Sequence, residues 1–247
     1  MAGVKNLQDF KVLTFDVFGT LIDQQTGIFN ELQPLLAQLP TPNAFSDDKT
    51  HTVAKFRALV DEHGKAQPKL LFREVLARAY SDLATSLELP RPSEGEAAAF
   101  AAQVGAWPAF PDTVPALQAL KKFYKLVVLS NIDNESIGRT LSGPLAGAEF
   151  DAVYTAEMVG SNKPDLRNFE YLLEHVQRDL GIEKQQILHT ANSLTADHVP
   201  AKIMGITSAW IDREKDVEFF EKYRDKVDFT WKFGSMGEMA DAVKSNS

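Results

Sequence analysis

The sequence predicts an α/β fold: a doubly wound, open parallel sheet carrying an inserted α-helical domain. Three observations point there. Short apolar strand patterns alternate with amphipathic helical patterns over the second half of the chain; an early stretch is helix after helix; and polar side chains fall where strands stop. With 247 residues, 44% of them hydrophobic and 24% charged, the chain can bury one large core and a smaller second one.

The first strand pattern is "KVLTFDVF". Val12, Leu13 and Phe15 form its apolar run and Gly19 supplies turn chemistry, so Asp16 is expected where the strand ends. Further strand patterns are "KLVVLSN", "FDAVYTAE", "QILHTAN", "SAWID" and, more weakly, "DFTWKF". Helical patterns lie between them. "PDTVPALQALKKF" has an acid near its start and lysines in its last turn; "DLRNFEYLLEHVQRDLG" puts Phe169, Leu172, Leu173 and Val176 on one face and stops at Gly181; "HVPAKIMG" reads as one short helix stopped by Gly205. Such alternation implies parallel strands joined by right-handed crossovers.

Between the first strand and "PAFPDTV" the segments "GIFNELQPLLAQL", "THTVAKFRALVDEHG", "PKLLFREVLARAYSDLATSLEL" and "EGEAAAFAAQVGAW" carry helical patterns and no convincing strand. The expected organisation is a sheet core of residues 1–22 and 108–247 and a helical domain of residues 23–107, with "WPAFP" as a stiff return linker.

Composition narrows the partners. Thirty-four acidic against 26 basic residues give a net charge of -8, which disfavours nucleic acid and anionic membrane surfaces and leaves a small anion needing a local basic pocket. There are no cysteines, which excludes disulfides, thiolate metal sites and cysteine nucleophiles. "MAGVKNLQDFK" has no apolar run before its charges, and no stretch approaches the ~18 apolar residues of a membrane span, so a cytoplasmic protein is expected. A homodimer is compatible with this composition.

Four features fall at the C-terminal ends of strand patterns: Asp16 with Thr20, Ser130 with Asn131, Lys163 before Pro164, and Asn192 with Asp197. Parallel strands present those ends on one edge, where residues distant in sequence converge. Taken singly, each also reads as a cap, a turn residue or a solvated charge. Their order and spacing together favour a site. His189 in "QILHTAN" reads as a structural histidine, and His198 as one at a helix start.

The order "FDVFGTL", "VVLSN", "GSNKPD" and "HTANSLTAD" resembles the haloacid dehalogenase superfamily over nearly the whole chain. The resemblance implies a Rossmann-like core with an inserted helical cap. It also implies that Asp16 is a covalent nucleophile, oriented or stabilised by Thr20, Ser130 and Lys163. Physically, a carboxylate that attacks an electrophilic carbon or phosphorus splits one hard displacement into ester formation and ester hydrolysis, and a nearby ammonium keeps it ionised.

Phosphatases of that superfamily place a second aspartate two residues after the nucleophile as general acid, and here that position is Phe18. A ligand carboxylate of many of them is replaced by Asn192. The sequence therefore points away from phosphoester chemistry and from magnesium; no metal and no other cofactor is expected. An aromatic at that position resembles the type II 2-haloacid dehalogenase branch, where the aspartate attacks C2 of a 2-halocarboxylate and halide leaves without needing a proton. By that resemblance the substrate is a small carboxylate, Phe18, Asn131, Asn192 and Thr20 lie against it, Asn131 contacts the leaving group, and Asp197 positions Lys163 or the hydrolytic water. Two positions depart from that branch: its tyrosine six residues after the lysine is Phe169, and its "SSN" run is replaced by "TANS". Arg57 is the nearest candidate for a cap arginine, and Trp107 for a wall residue. "WPAFPDTV", "ILHTANSLTADHVPA" and "SAWIDR" are also similar to dehalogenase-like hydrolases that open L-azetidine-2-carboxylate. Ring opening of an imino acid, a small-molecule phosphatase and a non-catalytic binding protein on the same scaffold remain the alternatives.

Overall fold

The computed structural model describes residues 6–245. The chain forms two compact units. One comprises the chain up to Ile22, Ala109–Asn131 and the chain from Leu145 on; the other comprises Asp23–Pro108 and Ile132–Pro144.

The first unit is built on six parallel strands, β1 (Val12–Phe15), β2 (Lys125–Ser130), β3 (Ala152–Thr155), β4 (Ile187–Ala191), β5 (Thr207–Ile211) and β6 (Trp231–Phe233), in the order β3-β2-β1-β4-β5-β6. All four residues of β1 are buried, which is why its sequence is a continuous apolar run broken only by Thr14. The chain winds outward from β1 through β2 to β3, then returns to β4 on the other side, so the sheet reverses direction beside β1. Phe15 pairs with Val128 of β2 and with Thr190 of β4, so the residues just beyond these strands share one edge at that switch point.

Helix Arg167–Leu180 covers one face of the sheet with Phe169, Leu172 and Val176, which pack among Val12, Val127, Leu129 and Ile187. Each such side chain contributes roughly 1.5–3 kcal/mol of burial. The helix stops at Gly181, whose φ of 66° no β-carbon favours. The "HVPAKIMG" helix spans Val199–Met204, but a π turn, Leu194–His198, precedes it and was not legible in the sequence. Pro200 has no N–H to donate to the turn before it, and Val199 N–H instead reaches back to Leu194 O. That wide turn buries Asp197 and His198.

The second unit contains helices Gln24–Leu36, Ala44–Asp47, Lys49–Ala66, Phe72–Ser86 and Glu94–Ala102, together with Asn134–Ser142. Asp23, Asn43, Asp48, Ser93 and Asp133 each cap a helix N-terminus through a side-chain oxygen, each worth about 1 kcal/mol. Its core stacks Tyr80 on Phe100 at 4.3 Å and sets Phe56 edge-on to Phe100 at 5.5 Å. Gly27 accommodates Trp107 so closely that a β-carbon there would lie 2.3 Å from the indole Cγ. Helix Asn134–Ser142 is tied to this unit by Arg139, whose Nη1 donates to Ala102 O at 2.6 Å.

Where the chain leaves and re-enters the sheet unit, Ile22 and Ala109 form an antiparallel bridge and Phe110 N–H donates to Leu21 O at 3.1 Å. Among the described residues, no helix is long and apolar enough to cross a membrane.

Candidate active site

Asp16 lies one residue past β1, its N–H donating to Thr190 O at 3.1 Å. The tight turn that follows brings Thr20 back, with Gly19 at φ 83°. Thr20 Oγ1–H donates to Asp16 Oδ2 at 2.8 Å and accepts Asn192 N–H at 2.9 Å, so the β1 and β4 loops share one hydroxyl. A β-carbon on Gly19 would press on Asn192 Nδ2 at 3.3 Å, in a backbone region that side chains disfavour.

Lys163 reaches the same carboxylate from the loop after β3. Its ammonium donates to Asp16 Oδ1 at 2.9 Å, to Asp197 Oδ1 at 2.7 Å and to Leu129 O at 2.9 Å, which uses all three of its protons. The lysine side chain is 1% exposed, Asp197 is 0% and Asp16 is 10%, so the nucleophile candidate is the member of this cluster that retains access. Asn131 fixes the lysine's backbone from both sides, accepting Lys163 N–H at 2.6 Å and donating its amide to Lys163 O at 2.9 Å. That geometry places Asn131 in the scaffold of the lysine loop.

Two carboxylates thus share one ammonium in a dry setting; burial raises both, and their unequal partners drive their proton affinities apart. Burial opposes ionisation of Asp197, yet Lys163 and a hydrogen bond from His189 hold it down at about 2. For Asp16, burial outweighs Lys163 and Thr20, and the negative charge of Asp197 adds to it, so its carboxyl is raised above the ordinary aspartate range. Lys163 is raised as well: burial pulls it down, but the attraction of Asp16 and Asp197 wins. We take Asp16 as the carboxylate that accepts the first proton on acidification.

The remaining sequence candidates fall as follows. Ser130 Oγ, at the end of β2, is buried and finds no hydrogen-bond partner among the described residues, and the same holds for Asp197 Oδ2. Phe18 is half-buried and bridges Ile22 within the turn. Asn192 accepts Arg213 N–H on Oδ1 at 3.2 Å and Trp210 Nε1–H on its carbonyl at 3.0 Å. Trp107 packs on Gly27 inside the helical unit, and Arg57 sits on an exposed face of helix Lys49–Ala66.

One participant escaped the sequence reading. Arg213 donates through Nε and Nη2 to Thr20 O at 3.2 and 3.1 Å, through Nη1 to Asp112 Oδ1 at 2.8 Å, and lies 4.0 Å from the centre of the Phe110 ring. It fastens the Asp16 turn from behind, and its place just past β5 was the available signal. His189, read as structural, donates Nε2–H to Asp197 Oδ1 at 2.9 Å and meets Thr14 Oγ1 through Nδ1 at 2.8 Å. His198 donates Nε2–H to Ala191 O at 3.0 Å, lies 2.9 Å from Ser208 Oγ through Nδ1, and is pushed down to about 4 by burial.

The donor set suits a hard divalent cation poorly, since position 18 offers an aromatic ring and Asn192 Oδ1 is taken by Arg213 N–H. What the site can do is present one activated carboxylate whose charge is balanced by a fixed ammonium.

A family profile for haloacid dehalogenase-like hydrolases matches residues 10–219. The chain belongs to that family. Solved structures similar to this haloacid dehalogenase-like hydrolase include L-2-haloacid dehalogenase from Xanthobacter autotrophicus, at 18% identity and a TM-score of 0.77 over 96% of this chain and 100% of that one. The same enzyme with chloropropionic acid covalently bound matches at 17% identity and a TM-score of 0.76, covering 96% of this chain and 100% of that one. A defluorinating L-2-haloacid dehalogenase matches at 19% identity and a TM-score of 0.74, covering 95% of each chain. At these identities the likeness establishes the α/β fold with its helical insertion. No curated protein sequence matches the chain.

Proposed function

We propose that this hydrolase displaces a leaving group from carbon of a small carboxylic acid through an ester on Asp16, with 2-haloacids as the first substrate class. The observation that carries the reading is the pairing of a carboxylate held by Lys163 and Thr20 with an aromatic, Phe18, two residues on. An Asp16 oxygen attacks C2, the carbon–halogen bond breaks and halide departs with the electron pair. Water then adds to the ester carbonyl carbon, releasing the 2-hydroxy acid and restoring the carboxylate. Halide leaves without a proton, so the acid missing at position 18 is not needed. The alkoxide leaving from a phosphoester would need that acid's proton. The L-2-haloacid dehalogenase from Xanthobacter autotrophicus, captured with chloropropionic acid covalently bound, supports the same chemistry here.

The test is a single turnover of L-2-chloropropionate in heavy-oxygen water, following chloride and the mass of the Asp16 peptide. Chloride release with label entering that peptide first is the expected result; label entering only the product overturns the ester. Parallel incubations with L-azetidine-2-carboxylate and with para-nitrophenyl phosphate plus magnesium complete the assignment, and turnover of either in place of the haloacid replaces it.

A further inference from the structure

The site extends one step deeper than the residues assigned to the reaction. Behind Lys163, a chain of side chains runs through the sheet: Asp197 Oδ1 accepts from Lys163 Nζ at 2.7 Å and from His189 Nε2 at 2.9 Å, and His189 Nδ1 meets Thr14 Oγ1 at 2.8 Å. Thr14, His189 and Asp197 are each 0% exposed. Thr14 and His189 are register partners on the adjacent strands β1 and β4, so the sheet itself fixes their meeting. Phe169 meets the imidazole in an edge-to-face arrangement, with ring centres 5.3 Å apart.

We propose that His189 is a positioning residue for the nucleophile: through Asp197 it sets where Lys163 points and how much of the ammonium's charge is left for Asp16. The inference rests on Asp16 being the reacting carboxylate. Its logic is the sharing of one acceptor. Asp197 Oδ1 carries both donors, while its Oδ2 has no hydrogen-bond partner among the described residues. The imidazole N–H therefore stabilises a buried anion that would otherwise rely on Lys163 alone and draw the ammonium away from Asp16. Because ionised Asp197 can only accept, the Nε2 nitrogen must carry the proton, and Thr14 O–H then donates to Nδ1 and pins that tautomer. The titratable groups facing this chain are Lys163, Asp16 and His198, the last feeling both His189 and Asp197.

Three measurements decide it. In the wild-type protein, ¹⁵N NMR should show His189 as the Nε2–H tautomer; the Nδ1–H tautomer overturns the proposal whether or not any substrate is known. In His189→Phe, which keeps a ring but removes the donor, kcat should fall about 10- to 100-fold with KM little changed, as for other residues that orient a reacting group from behind. The acid limb of kcat should move to higher pH, because the doubly ionised carboxylate pair loses a stabilising donor. His189→Gln, which retains an N–H, should recover much of both effects. A purely structural histidine would lower the amount of folded enzyme without moving the limb, and an unmoved limb in folded His189→Phe overturns the proposal. Carboxyl ¹³C titration of the Asp16 and Asp197 signals in the same variants reads this shift without turnover, so a failure to find a haloacid substrate is distinguishable from a failure of the histidine's role.

Discussion

Among the described residues, the sheet unit buries Asp16, Lys163, Asp197, His189 and His198 around one edge, whereas the helical unit buries a single charged side chain, Asp133, which caps a helix through Ser136. The helical unit spends its interior on aromatics, Tyr80, Phe100 and Phe56, and leaves charge to its surface. The contrast separates a cluster held by mutual compensation of charge from an interior held by apolar packing. Buried ions offset one another only when every partner is present, and apolar packing tolerates piecemeal change. Damage to the two units should therefore differ in kind.

The largest effect is expected at Asp16. Replacing it by Asn should lower turnover at least ~10⁴-fold, while thermal unfolding shows equal or higher stability, because its raised carboxyl marks an ionised form that the fold holds at a disadvantage. A clear loss of stability would mean that the carboxylate also serves as a structural anchor. Lys163→Met should do both kinds of harm, abolishing turnover and removing about 3–5 kcal/mol by leaving two buried carboxylates without their shared ammonium, as read from urea midpoints at neutral pH.

Next in size is a pH effect confined to the sheet unit. His198 is held neutral, pushed down to about 4 in the fold, whereas the unfolded chain protonates it near 6.5. The unfolded state takes up the proton first, so stability from this residue is full above pH 6.5 and declines as pH falls toward 4, by ~3 kcal/mol in all. Equilibrium unfolding at pH 7 and pH 4.5 should show the drop, with a flatter profile for His198→Gln. Asp197 acts the same way lower down, its contribution present above the ordinary aspartate range and fading as pH approaches about 2.

The smallest change belongs to the helical unit. Gly27→Ala would set a methyl 2.3 Å from Trp107 Cγ and should cost about 1–3 kcal/mol of stability. Its signature is an unmoved acid limb, which would show that a packing defect in this unit leaves the carboxylate cluster alone.

The sheet unit was also the more legible of the two. Strands buried on both faces write themselves as apolar runs, and polar residues at their ends name the site, which is why Asp16, Thr20, Lys163 and Asp197 meet as their spacing implied. What escaped depends on pairing across strands. His189 looked structural because nothing in "QILHTAN" says that Thr14 lies opposite it or that the π turn swings Asp197 beneath it. Asn131 was placed near the leaving group by resemblance alone, and nothing in the sequence said that its amide is matched to the Lys163 backbone. Arg213 follows β5 as Asp16 follows β1, and the rule that found one would have found the other. In the helical unit, periodicity located four helices, but it missed the short Ala44–Asp47 helix, and the segment Ile132–Pro144 with its helix Asn134–Ser142, expected in the sheet core, belongs to this unit. Periodicity does not say what an exposed face binds, so Arg57 had no companion motif to support it.

The bridge between Ile22 and Ala109 sets the two ends of the helical excursion side by side on the sheet unit. A polypeptide of almost any length could be spliced between those neighbours without shifting a single rung of the ladder, since the loop ends already meet and closure entropy grows only slowly with length. Such a splice would begin at the far end of the turn that carries Asp16, whose carboxylate is held by Thr20 and Lys163 of the sheet unit itself.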